Sequence, residues 1–202
     1  MPTLRTRFFF RRLCGFNRVN FVKYRRGTDN SFFKLYTSLV GTDVASVKAR
    51  ILELFPRKGE PTWTLTVSHR ERKIINEKHN EIIYKRQNEG IWVPRTEQTD
   101  RVGFWLIPGC HVIGRVTEKD IVNGQLYVVK EGRTLQLLDR DEVVELTDAR
   151  CIRPCHCLCY YSSQGRTLRG RVRLMVSHPK ITTTAIIVGL SRATSPELID
   201  AM

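Results

Sequence analysis

The sequence predicts an α/β fold in which a parallel-sheet domain is preceded by a helical hairpin and interrupted by a small β-rich insertion. Three observations predict this architecture. Apolar residues keep helical spacing in two segments between residues 28 and 56. A strand followed by a capped helix begins at Trp63, and such a pair is one unit of an α/β sheet. Short β-prone runs separated by glycines fill residues 104–146, and longer strand-like runs return after Pro154.

Two helices form the predicted hairpin. Thr28 or Asp29 caps the first helix and Gly41 ends it, while the second helix follows Asp43 and is stopped by Pro56. The apolar positions that keep helical spacing on the first helix are Phe32, Phe33, Tyr36, Leu39 and Val40. The second helix is expected to bury Val44, Val47, Ile51 and Leu54.

The strand–helix unit comprises a strand over residues 63–67 and a helix that Ser68 begins. Ser68 and Glu71 have the spacing of a capping box, in which a hydroxyl and a carboxylate each accept a free backbone N–H. This pattern predicts a helix whose first turn is fully hydrogen-bonded.

The remaining strands divide into two groups. The insertion strands are predicted at residues 104–107, 111–116, 126–129, 135–138 and 143–146, with turns at Gly109, Gly114, Asn123-Gly124 and Gly132. The later strands are predicted at residues 155–161, 172–176 and 184–190, before a short helix that Ser195-Pro196 opens. The expected division is a basic arm (1–18), the hairpin and first part of the sheet domain (19–102), the insertion (103–150) and the second part of the sheet domain (151–202).

The charge of the chain indicates a polyanionic partner. The formal net charge is +14 and the isoelectric point is about 9.9. Such a surplus favours nucleic acid first and an anionic membrane surface second, and charge alone does not choose between them. No apolar run reaches the roughly 18 residues that span a bilayer, so we expect no membrane-embedded segment.

The surplus is concentrated near the start of the sequence. Eight Arg or Lys residues and no acid precede Asp29. This composition fits a mitochondrial-type targeting segment, a basic arm, or the start of a truncated reading frame, and all three stay open. We expect an intracellular location, with the nucleus or the mitochondrion as candidates.

Six cysteines raise the question of a metal site. Cys155, Cys157 and Cys159 alternate along a predicted strand, which places their sulfurs about 6.5 Å apart on one face, at roughly 3.3 Å rise per residue. That spacing is too wide for neighbouring ligands of one tetrahedral zinc ion. We therefore predict buried, reduced thiols and no metal site.

Two segments carry a resemblance to a known family. They are Ser163-Gln164-Gly165-Arg166-Thr167 and Leu190-Ser191-Arg192-Ala193. The first is similar to motif V, and the second to motif VI, of superfamily 1 DNA helicases of the RecD and PIF type. Weaker matches lie in the same order at residues 24–26, 64–80, 106–112 and 121–127.

The resemblance implies the C-terminal half of such a helicase: a RecA-like parallel-sheet domain with an SH3-like insertion. It makes Arg192, at the end of a sheet strand, an arginine finger for a neighbouring nucleotide. The other implied roles are nucleotide sensing for Gln164, Gly165 and Arg26, and contact with single-stranded or duplex DNA for Ser163, Thr167, Ser68 and Asn76.

The sequence also departs from the family. None of its thirteen glycines is followed by lysine, so the phosphate-binding loop (Walker A) is absent, as is a strand ending in Asp-Glu (Walker B). Tyr161-Ser162 stands where the family has His-Lys, and Gly189 stands where Ala is usual. ATP and Mg²⁺ are therefore expected only with a partner domain that supplies the phosphate loop, and ATP hydrolysis by the chain alone is not expected.

Two explanations for these departures stay open. The chain is either a fragment or split subunit of a helicase, or a degenerate relative kept as a non-catalytic, basic nucleic-acid-binding protein, such as a component of an organellar ribonucleoprotein. Trp63, Trp92 and Trp105 fit either base stacking or packing in a core.

Overall fold

A computed structural model describes residues 30–94 and 103–202 of the chain. The predicted basic arm (1–18), the 24–26 match and Arg26 within it lie outside the described residues. The helices are α1 (Asn30–Ser38), α2 (Val44–Leu54), α3 (His69–Gln87) and α4 (Thr183–Leu190). The strands are β1 (Trp63–Thr66), β2 (Ile91–Val93), β3 (Phe104–Leu106), β4 (His111–Gly114), β5 (Leu126–Val129), β6 (Thr134–Leu137), β7 (Val143–Glu145), β8 (Ile152–Pro154), β9 (Cys157–Cys159), β10 (Val172–Leu174) and β11 (Ile199–Ala201). Within the described ranges, no helix is both long and apolar enough for a membrane span.

A four-stranded parallel sheet organises the molecule, with strand order β11-β10-β1-β9. Residues that are paired in register share a face of the sheet, so its two faces can be assigned directly. One face is apolar and joins the main core through Trp63, Leu65, Leu158, Val172, Leu174, Ile199 and Ala201. The opposite face carries Thr64, Thr66, Cys157, Cys159, Arg173 and Asp200. The sheet therefore has one face for packing and one face of polar and thiol side chains.

The helical hairpin covers the apolar face. The predicted helices are confirmed, and Asp43 caps α2 by accepting the N–H of Ser46 at 2.9 Å. Phe32, Tyr36, Leu39, Val47, Ile51 and Phe55 are buried in the main core. Two positions predicted to be buried, Val44 and Leu54, are at least 37% exposed, as are Phe33 and Val40 of the apolar pattern on α1. The hairpin contacts the sheet along one narrow stripe, so the flanking apolar positions remain in solvent.

Helix α3 begins at Ser68 as predicted, but the capping box forms only in part. The Ser68 hydroxyl accepts the N–H of Glu71 at 3.4 Å, whereas the Glu71 carboxylate accepts the hydroxyl of Thr66. Thr66 is fully buried at the end of β1, so its hydroxyl needs a partner inside the protein. The carboxylate therefore satisfies a strand residue rather than the Ser68 N–H, which points to the Thr66 oxygen at 3.4 Å.

Two asparagines one turn apart on α3 fix the surrounding strands. Asn76 accepts the N–H groups of His156 and Cys157 at 2.9 and 2.6 Å and donates to the Cys157 carbonyl at 3.0 Å. Asn80 accepts the N–H of Trp105 at 2.8 Å and donates to its carbonyl at 2.7 Å. Both side chains are more than nine-tenths buried. One helix face thus anchors β9 of the parallel sheet and β3 of a separate hairpin.

The insertion is a five-stranded antiparallel sheet with strand order β7-β6-β5-β4-β8 and a core of its own. The predictions at 111–116, 126–129, 135–138 and 143–146 are confirmed as β4 to β7, while the predicted strand at 104–107 is β3 and pairs with β2 instead. Strands β2 and β8 were not predicted, and β8 ends at Pro154, past the residue-150 limit expected for the insertion. Three-residue strands give too little alternation to be recognised in the sequence.

The predicted strand at 184–190 is wrong, because the segment is helix α4. The Thr182 hydroxyl caps it by accepting the N–H of Ala185 at 3.1 Å. The helix packs in the main core, and a Cβ at Gly189 would lie 2.7 Å from the Tyr160 ring. A larger residue at this position would therefore push α4 and Tyr160 apart. The run is apolar on all sides, and periodicity alone does not separate a buried strand from a buried helix in such a run.

The fourth strand of the parallel sheet is β11, which follows the predicted short helix at Ser195-Pro196, a 3-10 helix over Pro196–Leu198. A buried ion pair ties it to β10: Arg173 Nε lies 2.6 Å from Asp200 Oδ1, and the two side chains are 8% and 0% exposed. The same guanidinium donates to the carbonyls of Lys58 and Gly59, both at 2.6 Å. The loop before β1 is therefore held against the edge of the sheet.

Three histidines form a cluster between α3, β4 and the segment before β9: His79, His111 and His156. The rings of His79 and His156 stack with centroids 3.3 Å apart. Burial lowers the pKa of His111 to about 4 and that of His156 to about 3, and it lowers the pKa of His79 although Glu60 opposes the shift. Burial disfavours the charged imidazole, so the cluster is neutral at pH 7.

We expect the fold to lose stability as the pH falls below about 6.5, the ordinary histidine pKa. The unfolded chain takes up protons there, whereas folded His111 and His156 do so only near pH 4 and 3. Between pH 7.5 and 5 the free energy of unfolding, measured by urea titration, should fall by about 2 kcal/mol for each of these two histidines. His156→Gln should flatten this dependence, and His178→Gln, outside the cluster, should not. Equal pH dependence in the wild type and His156→Gln would contradict the assignment.

Candidate nucleic-acid interface

The segment after β9 forms an exposed turn at the end of the parallel sheet. A 3-10 turn, Tyr161–Ser163, leads into Gln164 and Gly165, and the chain is buried again at Leu168. Gly165 has φ +78°, a conformation that other residues rarely adopt. Gln164, Gly165 and Thr167 are exposed, so this turn presents an amide, a bare backbone and a hydroxyl to solvent.

A groove of about 560 Å³ separates this turn from the insertion. Its lining residues are Gln125, Leu126, Leu138, Asp139, Gln164, Gly165, Arg166, Thr167 and Arg169. Arg166 and Arg169 bring two positive charges and Asp139 one negative charge, and the Gln125 amide donates to Asp139 at 3.0 Å. The groove is therefore polar, with hydrogen-bonding groups on both walls.

Arg166 joins the two walls of the groove. Its Nε donates to the Ser162 carbonyl at 3.0 Å, and its Nη2 donates to the Gly124 carbonyl at the tip of the Asn123-Gly124 turn. Arg166, for which the sequence predicted no role, is thus the residue that connects the turn to the insertion. Arg169 and Gln125 were also not predicted as site residues, because they line the groove only through the contact between the insertion and the sheet domain.

Arg192 was expected at the end of a sheet strand, but it lies directly after helix α4. Its guanidinium points inward and is 8% exposed. It donates to the carbonyls of Val188, Ser163 and Arg166 at 3.1, 3.4 and 3.1 Å, and to the Ser191 hydroxyl at 2.8 Å. In this arrangement Arg192 closes the C-terminus of α4 and holds the exposed turn from behind.

The proposed DNA contacts fall into two groups. Thr167 lies exposed in the groove, as expected of a phosphate contact. Ser163 is fully buried and donates to the Tyr160 carbonyl at 2.6 Å, and Asn76 is bonded to β9, so neither side chain is presented to a strand of DNA. Ser68 is partly buried and caps α3. Hydrogen bonding explains these differences, because the side chains of Ser163, Asn76 and Ser68 are each bonded to a backbone group of the sheet domain.

The cysteine prediction can be compared with the described residues. Cys155, Cys157 and Cys159 are buried, and burial raises the pKa of each thiol, to about 12 for Cys155. Elsewhere Glu118, Asp148 and Cys151 place their ligand atoms within 4.8 Å of one another, a group that the sequence analysis missed. Arg150 already neutralises Asp148 at 2.7 Å, and the Cys151 thiol donates to Glu118 at 3.0 Å. These internal contacts account for the group.

Comparison with known proteins gave matches among solved structures. No protein-family model and no curated protein matches the sequence. Bacteroides Pif1 bound to ssDNA has a TM-score of 0.64 at 16% identity, over 89% of this chain and 50% of that chain. The Pif1 helicase from Candida albicans has a TM-score of 0.62 at 17% identity, over 89% and 55%. Bacteroides Pif1 in complex with ADP-AlF3 and ssDNA has a TM-score of 0.59 at 18% identity, over 91% and 51%.

The chain therefore spans about half the length of these solved helicases. At such low identity the similarity establishes the fold. It confirms the predicted α/β class, a RecA-like parallel-sheet domain combined with antiparallel strands. The fold is one that this chain shares with part of the solved Pif1 helicases, in agreement with the resemblance that the motifs indicated.

We expect Asn76→Ala to weaken the fold rather than DNA binding. Leaving the N–H and carbonyl of Cys157 unpaired should lower the free energy of unfolding by about 1–3 kcal/mol. Thermal and urea unfolding measure this loss, and fluorescence anisotropy with an oligonucleotide measures affinity. Gln87→Ala, at the exposed end of the same helix, is the control and should change neither. A loss of affinity with unchanged stability would restore Asn76 as a DNA contact.

Proposed function

We propose that this chain is the C-terminal motor-domain portion of an ATP-dependent DNA helicase, which binds single-stranded DNA and works with a domain that supplies a phosphate loop. One observation carries the proposal: in a fold shared with Pif1 helicases over 89% of the chain, the motif V turn is exposed and borders a polar groove. The turn offers Gln164, Gly165 and Thr167 to a ligand.

The DNA part of the proposal is supported by charge and by the groove. The net charge of +14 favours a polyanion, and Arg166 and Arg169 place positive charge beside the exposed Thr167 hydroxyl. Two of the structures with the same fold hold ssDNA. A strand in the groove would contact the turn on one side and the insertion on the other.

The nucleotide part of the proposal requires a partner domain. A helicase with this fold has been solved with ADP-AlF3, and the present sequence has no phosphate loop of its own. ATP and Mg²⁺ would then bind between the partner's loop and the turn at Gln164 and Gly165. Arg192 serves as arginine finger in this scheme only by exchanging its carbonyl partners for phosphate oxygens. Arg26, outside the described residues, remains a candidate for the nucleotide side.

The position of Arg192 also favours a second candidate function, a non-catalytic, basic nucleic-acid-binding protein. The guanidinium already donates four hydrogen bonds inside the chain, so it can stabilise the turn without any nucleotide. This candidate keeps the groove and its ligand, and differs from the first only in the absence of ATP turnover with a partner domain.

We expect the chain to bind single-stranded DNA with an affinity that falls steeply with salt. Arg169→Gln should weaken binding of an oligo(dT) strand and reduce the slope of log K against log salt by about one, because one phosphate contact is lost. Fluorescence anisotropy over a salt series measures both quantities. Arg140→Gln, a change of equal charge in an exposed loop outside the groove, is the matched control. Equal losses for both variants would show that the groove is not the binding site.

Reconstitution with a first motor domain separates the two candidate functions. If Arg192 acts as a finger, the mixture should hydrolyse ATP, and Arg192→Lys should slow turnover at least 100-fold because the planar fork is lost. Oligonucleotide affinity and thermal stability are measured in parallel, because Arg192 also holds the exposed turn through four hydrogen bonds. Loss of turnover with unchanged affinity and stability supports the finger, whereas parallel losses of all three show that the turn has loosened. Turnover that survives the substitution would rule out the finger, and a well-folded mixture without any turnover would favour the non-catalytic function.

A further inference from the structure

Three aromatic side chains on helix α3 and the β2–β3 pair lie in a row, here called the aromatic stack: Tyr84 and Trp105, which are stacked, and Trp92, which is tilted against Trp105. Tyr84 and Trp105 lie parallel, with ring centroids 3.7 Å apart and an interplanar angle of 3°. Trp92 continues on from Trp105, with centroids 5.0 Å apart and an angle of 56°. The stack begins on helix α3 and continues on strands β3 and β2, so three elements hold it.

The backbone fixes the position of each ring in the stack. Trp92 and Trp105 are direct partners in the antiparallel β2–β3 pair, and Asn80 binds both the N–H and the carbonyl of Trp105. Gly103 makes room for the outer indole, because a Cβ there would lie 2.5 Å from Cζ2 of Trp92. The indole of Trp92 is therefore positioned before any ligand arrives.

Trp92 is the exposed end of this stack. It is 47% exposed, whereas Trp63, which serves packing, is 1% exposed and donates its indole N–H to the Arg169 carbonyl. A large aromatic ring that is held in place and left in solvent suits a planar ligand better than a core. Lys85 and Arg86 follow Tyr84 directly on α3 and are exposed, and both are ion-paired, with Glu81 at 2.6 Å and with Glu60 at 2.7 Å.

We propose that Trp92 is a stacking site for an unpaired nucleobase of a single nucleic-acid strand, separate from the groove at Gln164 and Thr167. Every base has a π-face, so such a site is tolerant of sequence, and the net charge of +14 attracts the strand that carries the bases. The inference rests on the proposed function in that both require single-stranded nucleic acid as ligand. The stacking site adds a contact to the face of a base, distinct from contacts to phosphates or to base edges.

Trp92→Ala should weaken binding of oligo(dT) about tenfold, the loss expected for one base–aromatic stack. Trp92→Phe should restore most of the affinity, because phenylalanine keeps a stacking face and the packing on Trp105. The salt slope should stay at the wild-type value, since stacking releases no counterions. Phe33→Ala, which removes a partly exposed aromatic from α1, is the control and should bind like the wild type.

An abasic strand of the same length provides the second arm of the experiment. It keeps the phosphates and lacks the bases, so wild type and Trp92→Ala should bind it equally. If Trp92→Ala binds oligo(dT) within twofold of the wild type, the stacking site is wrong, and an altered salt slope in Arg169→Gln would leave the proposed function intact. If Trp92→Ala loses affinity for the abasic strand as well, the effect is structural and the proposal fails. If the wild type binds no strand, both proposals fall.

Discussion

The arrangement of the parallel sheet and the β2–β3 pair depends on hydrogen bonds from the side-chain amides of Asn76 and Asn80. β9 is an edge strand of the parallel sheet, and its outward N–H and carbonyl groups have no neighbouring strand. An amide carries a donor and an acceptor on one planar group, so it can satisfy both at once, as a neighbouring strand would. Asn76 does this for Cys157 and Asn80 for Trp105. A single helix face therefore closes an edge strand of each of two sheets and sets the distance between them.

The polar face of the parallel sheet has an unusual composition. Threonines, thiols and a buried ion pair occupy positions that are aliphatic on the opposite face. The Arg173–Asp200 pair is costly to desolvate, and its cost is offset by the Lys58 and Gly59 carbonyls, which both accept hydrogen bonds from Nη2 of Arg173. This set of contacts fixes β11, a strand of three residues that apolar contacts on one face alone would hold weakly.

The sequence allowed the fold class to be predicted because its signals were local. Asp43 and Ser68 cap helices in any context, and glycines between β-prone runs mark hairpins. The errors lie where tertiary structure decides. Residues 184–190 are apolar on every side, so only the Thr182 cap and the packing of Gly189 against Tyr160 distinguish a helix from a strand. The site was predicted in part for the same reason: motif residues Gln164, Gly165 and Thr167 lie in the exposed turn. Ser163 is bonded to the nearby Tyr160 carbonyl, and Asn76 and Arg192 are occupied by backbone groups that come from distant segments.

Arg166 connects two parts of the molecule that are far apart in sequence. The tip of the insertion and the turn after β9 are 42 residues apart in sequence, and the Arg166 guanidinium bonds them across the groove, while Arg192 holds the Arg166 carbonyl from the other side. Beneath the groove, Ile113 and Leu126 of the insertion are buried in the main core of the sheet domain. Removing the Arg166 side chain would free the Gly124 and Ser162 carbonyls together, so both walls of the groove would loosen while the apolar contact below them persists.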